Sequence, residues 1–199
     1  MSPPATSRVD VRPLTPDTWD DLTALFGPSG AYANCWCMWW CLSRAEFARW
    51  SADQRREGLQ ARVAAGEVPG ILAYLDGEPA AWCSLGPRER FPSLERSRTL
   101  ARVDDAPVWS IVCFYVPRSH RRHGLSVTLV RAAVDHAAGQ GAVLVEAYPV
   151  DPRGGTVDAA AAFTGLLPAF ERAGFVEVAR RSPRRPIVRR AASAPASDG

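Results

Sequence analysis

Residues 116–126 read Val-Pro-Arg-Ser-His-Arg-Arg-His-Gly-Leu-Ser. The run before it, Val108 to Val116, is almost unbroken apolar, the pattern of a strand buried on both faces. After it, Leu125, Leu129, Ala132, Ala133 and His136 or Ala137 recur at helical spacing until Gly139 and Gly141. A strand, a glycine-containing loop and a helix in that order make an anion site. The first turn of a helix offers N–H groups that have no partner within it, together with the positive end of its dipole. Gly124 allows close approach of the backbone, and Ser126 is small enough to cap the helix. Arg118, Arg121 and Arg122 supply charge and directional donors for phosphate oxygens. The alternative is a solvated basic turn, which needs neither the buried strand before it nor the helix after it. A P-loop is excluded because Gly-x4-Gly-Lys-Ser/Thr is absent, and a Rossmann site because Gly-x-Gly-x-x-Gly is absent.

Working outward, Val9–Arg12 alternates as a strand. Thr15-Pro16 opens a helix that runs to about Phe26. Ser43-Arg-Ala-Glu46 is a capping box, which predicts a helix of roughly twenty residues ending near Gly66. Residues 70–75 and 80–85 form a hairpin about Asp76-Gly77. Residues 86–107 read as a long polar loop with a helical turn near 94–100. Further strands are expected at 142–148 and 175–180, a helix at 163–173, and a short last strand at 187–189. The order β-α-α-β-β-β-α-β-α-β(-β) predicts an α/β (α+β) chain with a mixed central sheet and helices on both faces. A single domain is expected over residues 8–190, between a disordered start (1–7) and a flexible tail (191–199).

The 199 residues are 47% hydrophobic and 23% charged, ordinary for a soluble globule. All 24 basic residues are arginine, so this chain has no lysine for Schiff-base chemistry. A net charge of +3 is too small to argue for nucleic acid, although Arg184 to Arg190 is locally basic. No window reaches the roughly 18 apolar residues of a membrane span, and the N-terminal residues lack a signal-peptide core. A cytoplasmic location is expected, with the five cysteines as free thiols. Cys35, Cys37 and Cys41 lack the paired spacing and fourth ligand of a zinc site, so no metal is expected.

Arg121-Arg122-His123-Gly124-Leu125-Ser126 resembles the Q/R-x-x-G-x-G/A motif of the GCN5-related N-acetyltransferases, or GNAT family, with Ser126 where Gly or Ala is usual. A second stretch, Ala169-Phe-Glu-Arg-Ala-Gly-Phe175, resembles that family's Phe-Tyr-Glu-Lys-x-Gly-Phe helix end. The resemblance implies acetyl-CoA as co-substrate, its pyrophosphate held by Arg121, Arg122, His123, Gly124, Leu125 and Ser126. It also implies that Phe114, Tyr115 and Val116 offer backbone groups to the pantetheine. The reaction implied is acyl transfer to an amine by direct attack.

Two positions that often carry acid and base in the family are changed. Phe170 stands for the tyrosine that protonates the thiolate, and Ser110 for a glutamate base. Glu146 becomes the candidate base and Tyr148 the candidate acid. Cys113 and Tyr115 are weaker candidates, since alternate strand residues face opposite sides. His120 and His123 are expected at phosphate or solvent. Trp36, Trp39 and Trp40 either fill core or, with Glu146, line an acceptor pocket. The expected acceptor is a small-molecule amine, and edge strands allow a homodimer. The alternatives are a protein amino group as acceptor and a non-catalytic acyl-CoA-binding module.

Overall fold

A computed structural model describes residues 8–121, 123–153, 155–158 and 161–192. The expected disordered start, Arg122 and all of the expected tail after Ala192 lie outside the described residues. Seven strands form one sheet: β1 (Val9–Pro13), β2 (Gly70–Leu75), β3 (Glu78–Pro87), β4 (Trp109–Tyr115), β5 (Leu144–Ala147), β6 (Val176–Arg180) and β7 (Pro186–Ala191). Their order is β1-β2-β3-β4-β5-β7-β6, antiparallel throughout except for the β4–β5 pair. The parallel pair needs a crossover, which a helix over Leu125–Gly139 supplies. The mixed sheet of the sequence reading is therefore present.

The remaining helices are α1 (Trp19–Phe26), α2 (Arg44–Arg49), α3 (Ala52–Ala64), α4 (Pro92–Glu95) and, after the crossover helix α5, α6 (Leu167–Arg172). One face of the sheet buries Leu129, Val130, Ala133 and Val134 of α5 with Phe170 of α6. The other buries Leu22 and Phe26 of α1 with Leu59 and Val63 of α3, against Leu72, Trp82 and Val112 of the sheet. α1, α3, α5 and α6 each turn buried apolar residues to these layers, which is why they close.

Three expected elements differ. The long helix from Ser43 is two helices, because Trp50 turns extended and Ser51 caps the second, its side chain accepting from Gln54 N–H. The capping box at Ser43 and Glu46 is present. The helical turn in residues 86–107 lies at Pro92–Glu95 rather than 94–100. The helix from Phe163 is a 3-10 turn over Ala161–Thr164, then α6. Gly165 separates the two at φ +83°, where a Cβ would stand 2.7 Å from the Phe170 ring and 3.1 Å from Phe114.

β4 carries a bulge. Ser84 pairs with Cys113 and Leu85 with Ile111, so Val112 has no counterpart on β3. The extra residue reverses the alternation, and Cys113 and Tyr115 turn to the α1 face with Val112 while Phe114 turns to the α5 face.

Near the end of α5, His136 packs edge-on against Trp109 at 6.0 Å, and its buried Nε2 has no partner. Burial lowers its pKa below the usual 6.5. Its neutral form is therefore favoured in the fold, and the stability it contributes is lost as pH falls below 6.5. The melting temperature of the native chain is expected to fall relative to that of His136→Leu on going from pH 7.5 to pH 5.5, because the variant has no imidazole to charge.

Candidate active site

Pairing between β4 and β5 runs from Trp109↔Val145 to Ile111↔Ala147 and stops at the bulge. Beyond it the strands part, and Cys113 to Tyr115 keep only their β3 partners. Their other edge faces a cleft of about 530 Å³. Phe114, Tyr115 and Val116 form one wall, and Phe163, Gly165 and Phe170 stand among the lining of the other. Below them the chain makes a 3-10 turn at Arg118–His120, and Arg121 Nε donates to the Val116 carbonyl at 3.2 Å.

Gly124, not Ser126, caps α5. Its φ of +72° is left-handed, a Cβ there would meet nothing within 4 Å, and no side chain caps the helix. Val127 N–H reaches the Gly124 carbonyl at 3.1 Å, so the first amides free of the helical ladder belong to Leu125 and Ser126. Gly124, Leu125, Ser126, His120 and Arg121 all line the same cleft. His123 is exposed and is not part of that lining. The arrangement fits a diphosphate: bare amides, a helix dipole, a guanidinium and space left by a missing side chain.

The candidate acid and base sit elsewhere. Glu146 and Tyr148 are both 0% exposed, and neither lines the cleft. Glu146 Oε1 accepts from Arg88 Nη1 at 2.7 Å and from the Tyr148 hydroxyl at 2.6 Å. Its Oε2 accepts from Arg189 Nε at 2.7 Å. With both oxygens held by cations inside the core, this carboxylate is a structural anion, which corrects its reading as base and acceptor contact. The single Tyr148 proton is given to Glu146, so the Ser110 hydroxyl, 2.8 Å away, donates to Tyr148. Burial and then the Glu146 charge push the phenol far above its usual range. It is no acid for a thiolate in the cleft. Arg88 also reaches Glu95 and the Leu100 carbonyl, and Arg189 grips Asp104 through two nitrogens. The resulting chain, Glu95–Arg88–Glu146–Arg189–Asp104, ties residues 88–104 to β5 and β7. Reading residues 86–107 as a polar loop missed Arg88. The sequence offered only a single Glu in apolar Val145-Glu-Ala147 and an Arg189-Arg190 pair after apolar Ile187-Val188, neither of which points to Arg88.

The three tryptophans separate. Trp36 is core, stacked on Trp19 at 6.4 Å and tilted on Phe26 at 5.6 Å. Trp39 packs edge-on to Phe47, with Arg44 over its face. Only Trp40 reaches the parted strands. Its indole donates to the Val112 carbonyl at 3.0 Å, and its ring stacks on Phe163, a cleft residue. Phe170 is fully buried, edge-on to Phe114, and offers no hydroxyl. Cys37 and Cys113 thiols lie 3.5 Å apart as free cysteines. Among the described residues no group of three or more His, Cys, Asp or Glu is placed to hold a metal ion.

The model of the acetyltransferase (GNAT) family matches residues 35–153. No curated protein sequence matches the chain. Solved structures do. A GNAT-family acetyltransferase from Streptococcus agalactiae is 11% identical, with a TM-score of 0.55 over 92% of this chain and 95% of that one. YncA from Salmonella typhimurium, solved with its cofactor acetyl-CoA, is 16% identical, with a TM-score of 0.53 over 95% and 96%. PaiA N-acetyltransferase from Thermoplasma acidophilum, in complex with coenzyme A, is 12% identical, with a TM-score of 0.50 over 92% and 99%. At these identities the likeness is one of fold.

Glu146→Gln leaves two buried guanidinium groups short of charge, and the expected cost is about 3–5 kcal/mol in urea unfolding. A carboxylate acting as base would instead show as loss of the acidic limb of the rate profile. That limb is expected to persist in whatever protein remains folded.

Proposed function

Because the chain belongs to the GNAT acetyltransferase family, we propose that it transfers the acetyl group of acetyl-CoA to the primary amine of a small molecule in the cytoplasm. The observation that carries the reading is the continuity of the cleft. It runs from the amides of Leu125 and Ser126 along the free edge of Phe114, Tyr115 and Val116 to Phe163. Diphosphate binding is assigned to the helix start, with Arg121 and His120 beside it. The pantetheine amides take the unpaired backbone groups of β4, and Phe114, Phe170 and Gly165 pack against the thiol arm.

Attack then requires a neutral amine. Its nitrogen bonds to the acyl carbon, the carbon–sulfur bond breaks, the ammonium proton leaves to water and the thiolate takes up a proton. Holding two reactants in register supplies much of the acceleration. Among side chains, Tyr115 is the hydroxyl on the β4 wall best placed to return a proton to the sulfur. The bulge puts it on the face of Ser110 and Val112, with its ring edge-on to Phe26 at 5.5 Å. Trp40 fixes the bulge by holding the Val112 carbonyl.

One observation favours a second reading, a non-catalytic acyl-CoA-binding module: Glu146 and Tyr148 are spoken for and Phe170 lacks a hydroxyl. Coenzyme A release measured against a panel of amines separates the two. Turnover on at least one amine, reduced about tenfold or more in Tyr115→Phe, is expected for the enzyme. Tight binding without release on any amine would leave the binding module.

Gly124→Asp puts a carboxylate and a Cβ at a left-handed position beside the phosphate amides. Calorimetric affinity for acetyl-CoA is expected to fall about tenfold to a hundredfold, or about 1.4–2.8 kcal/mol. An unchanged affinity would remove the cradle from this reading.

A further inference from the structure

The basic run near the C-terminus is not one surface. Arg189 is buried in the charge chain, and Arg190 Nη1 is spent on the Ala173 carbonyl at 2.7 Å. What remains is the β6–β7 turn, Arg181-Ser-Pro-Arg-Arg185. Its position follows from the pairing. β7 runs antiparallel to β5, with Val188 opposite Ala147, so the turn before Pro186 lies past the end of β5 where β4 and β5 part. Two contacts fix it there. Arg185 Nη1 donates to the Thr164 hydroxyl at 2.7 Å, and Thr164 stands between Phe163 and Gly165 of the cleft wall. Arg181 reaches across to the carbonyls of Ala101 and Arg102. Arg184 leans on the Asp151 carbonyl.

None of these three guanidinium groups has a carboxylate partner among the described residues. Nearby acids are engaged elsewhere: Asp151 with Arg180 and Arg153, Glu177 with Arg180, and Asp104 with Arg189. Arg185 is half-buried, and that burial, then the neighbouring Arg184, lowers its pKa. A partly desolvated cation whose one bond among the described residues is to a neutral hydroxyl is unfavourable unless a ligand completes it. Arg181, Arg184 and Arg185 are not among the cleft lining, and Arg185 meets its wall through Thr164 rather than at the start of α5, so the turn is separate from that cradle.

We propose that the β6–β7 turn, through Arg185 with Arg184 and Arg181 around it, binds an anionic group on the acceptor, so that the accepted amine also carries a carboxylate or a phosphate ester. This rests on the acetyl-transfer reading above for the word acceptor, while the anion site itself rests on the turn. Arg suits either anion, since its planar fork binds two oxygens at once.

The experiment uses two matched pairs, each differing by the anion alone: phenylethylamine with phenylalanine, and ethanolamine with phosphoethanolamine. Each is titrated calorimetrically into the protein loaded with coenzyme A, and each is then offered with acetyl-CoA. At least one charged member is expected to bind tenfold or more tightly than its uncharged partner at low salt. That preference should collapse in Arg185→Gln and be kept only in part in Arg185→Lys, which retains the charge but not the fork, and this separates loss of charge from loss of fold. Equal or weaker binding of both charged members overturns the anion site, even if the uncharged amines are acetylated. Preferential binding of a charged member while no amine of either pair or of the wider panel releases coenzyme A keeps the anion site and sinks the transferase reading; acetylation of the uncharged members alone overturns the placing of the anion on the acceptor.

Discussion

One supernumerary residue in β4 governs the molecule. Val112 has no place in the β3 ladder, so the strand bends and twists away from β5 just as their pairing ends. The backbone groups released by that parting are the ones a cofactor amide would need. In a regular parallel pair they would be consumed by β5. The bulge also resets which side chains face which layer. Phe114 goes to α5 and α6, where Phe170 meets it, and Tyr115 goes to the aromatic side. The position of the Val112 carbonyl is held by an indole, so the irregularity is braced rather than loose.

The buried charges are the second constraint. Two arginines and a glutamate inside a sheet are costly unless each is bonded in full. Here the alternation of sign from Glu95 to Asp104 leaves every inner charge flanked by its opposite, and the Tyr148 and Ser110 hydroxyls fill the remaining positions. The chain crosses from residues 88–104 through β5 to β7. It thereby fixes the segment that packs on the aromatic loop, where Ser93 N–H meets the Trp40 carbonyl. The chain's inner members, Arg88, Glu146 and Tyr148, bond to one another, and none of the three lines the cleft.

The aromatic loop shows how much backbone strain the core tolerates. Ala31, Ala33, Asn34, Trp36 and Cys37 all adopt positive φ without being glycine. Gly30 is required beside them, since a Cβ there would stand 2.3 Å from the Trp36 indole nitrogen. The loop is held by stacking of Trp36 on Trp19 and by the Trp82 N–H that donates to Cys37 sulfur at 2.9 Å. Its composition serves packing at Trp36 and bracing at Trp40.

Much of this was legible in residue order. A continuous apolar strand, Gly124 and a helical stripe from Leu125 to Ala137 foretell β4, the left-handed turn and α5, because hydrophobic period and glycine placement are local properties of the chain. The hairpin at Asp76-Gly77 and the capping box at Ser43 are local in the same sense. Glu146 could not be read this way. A lone carboxylate in an apolar strand is equally a base or half of an ion pair, and the choice was made by Arg88 and Arg189, 58 and 43 residues distant. The facing of Tyr115 depended on a bulge that only the partner strand reveals, and the lack of a carboxylate for Arg185 among the described residues depended on which acids other arginines had already taken. Sequence determined the elements and the strand–glycine–helix order that opens α5; contacts between elements decided which charged groups pair with one another, because pairing over such separations exists only once the sheet has closed.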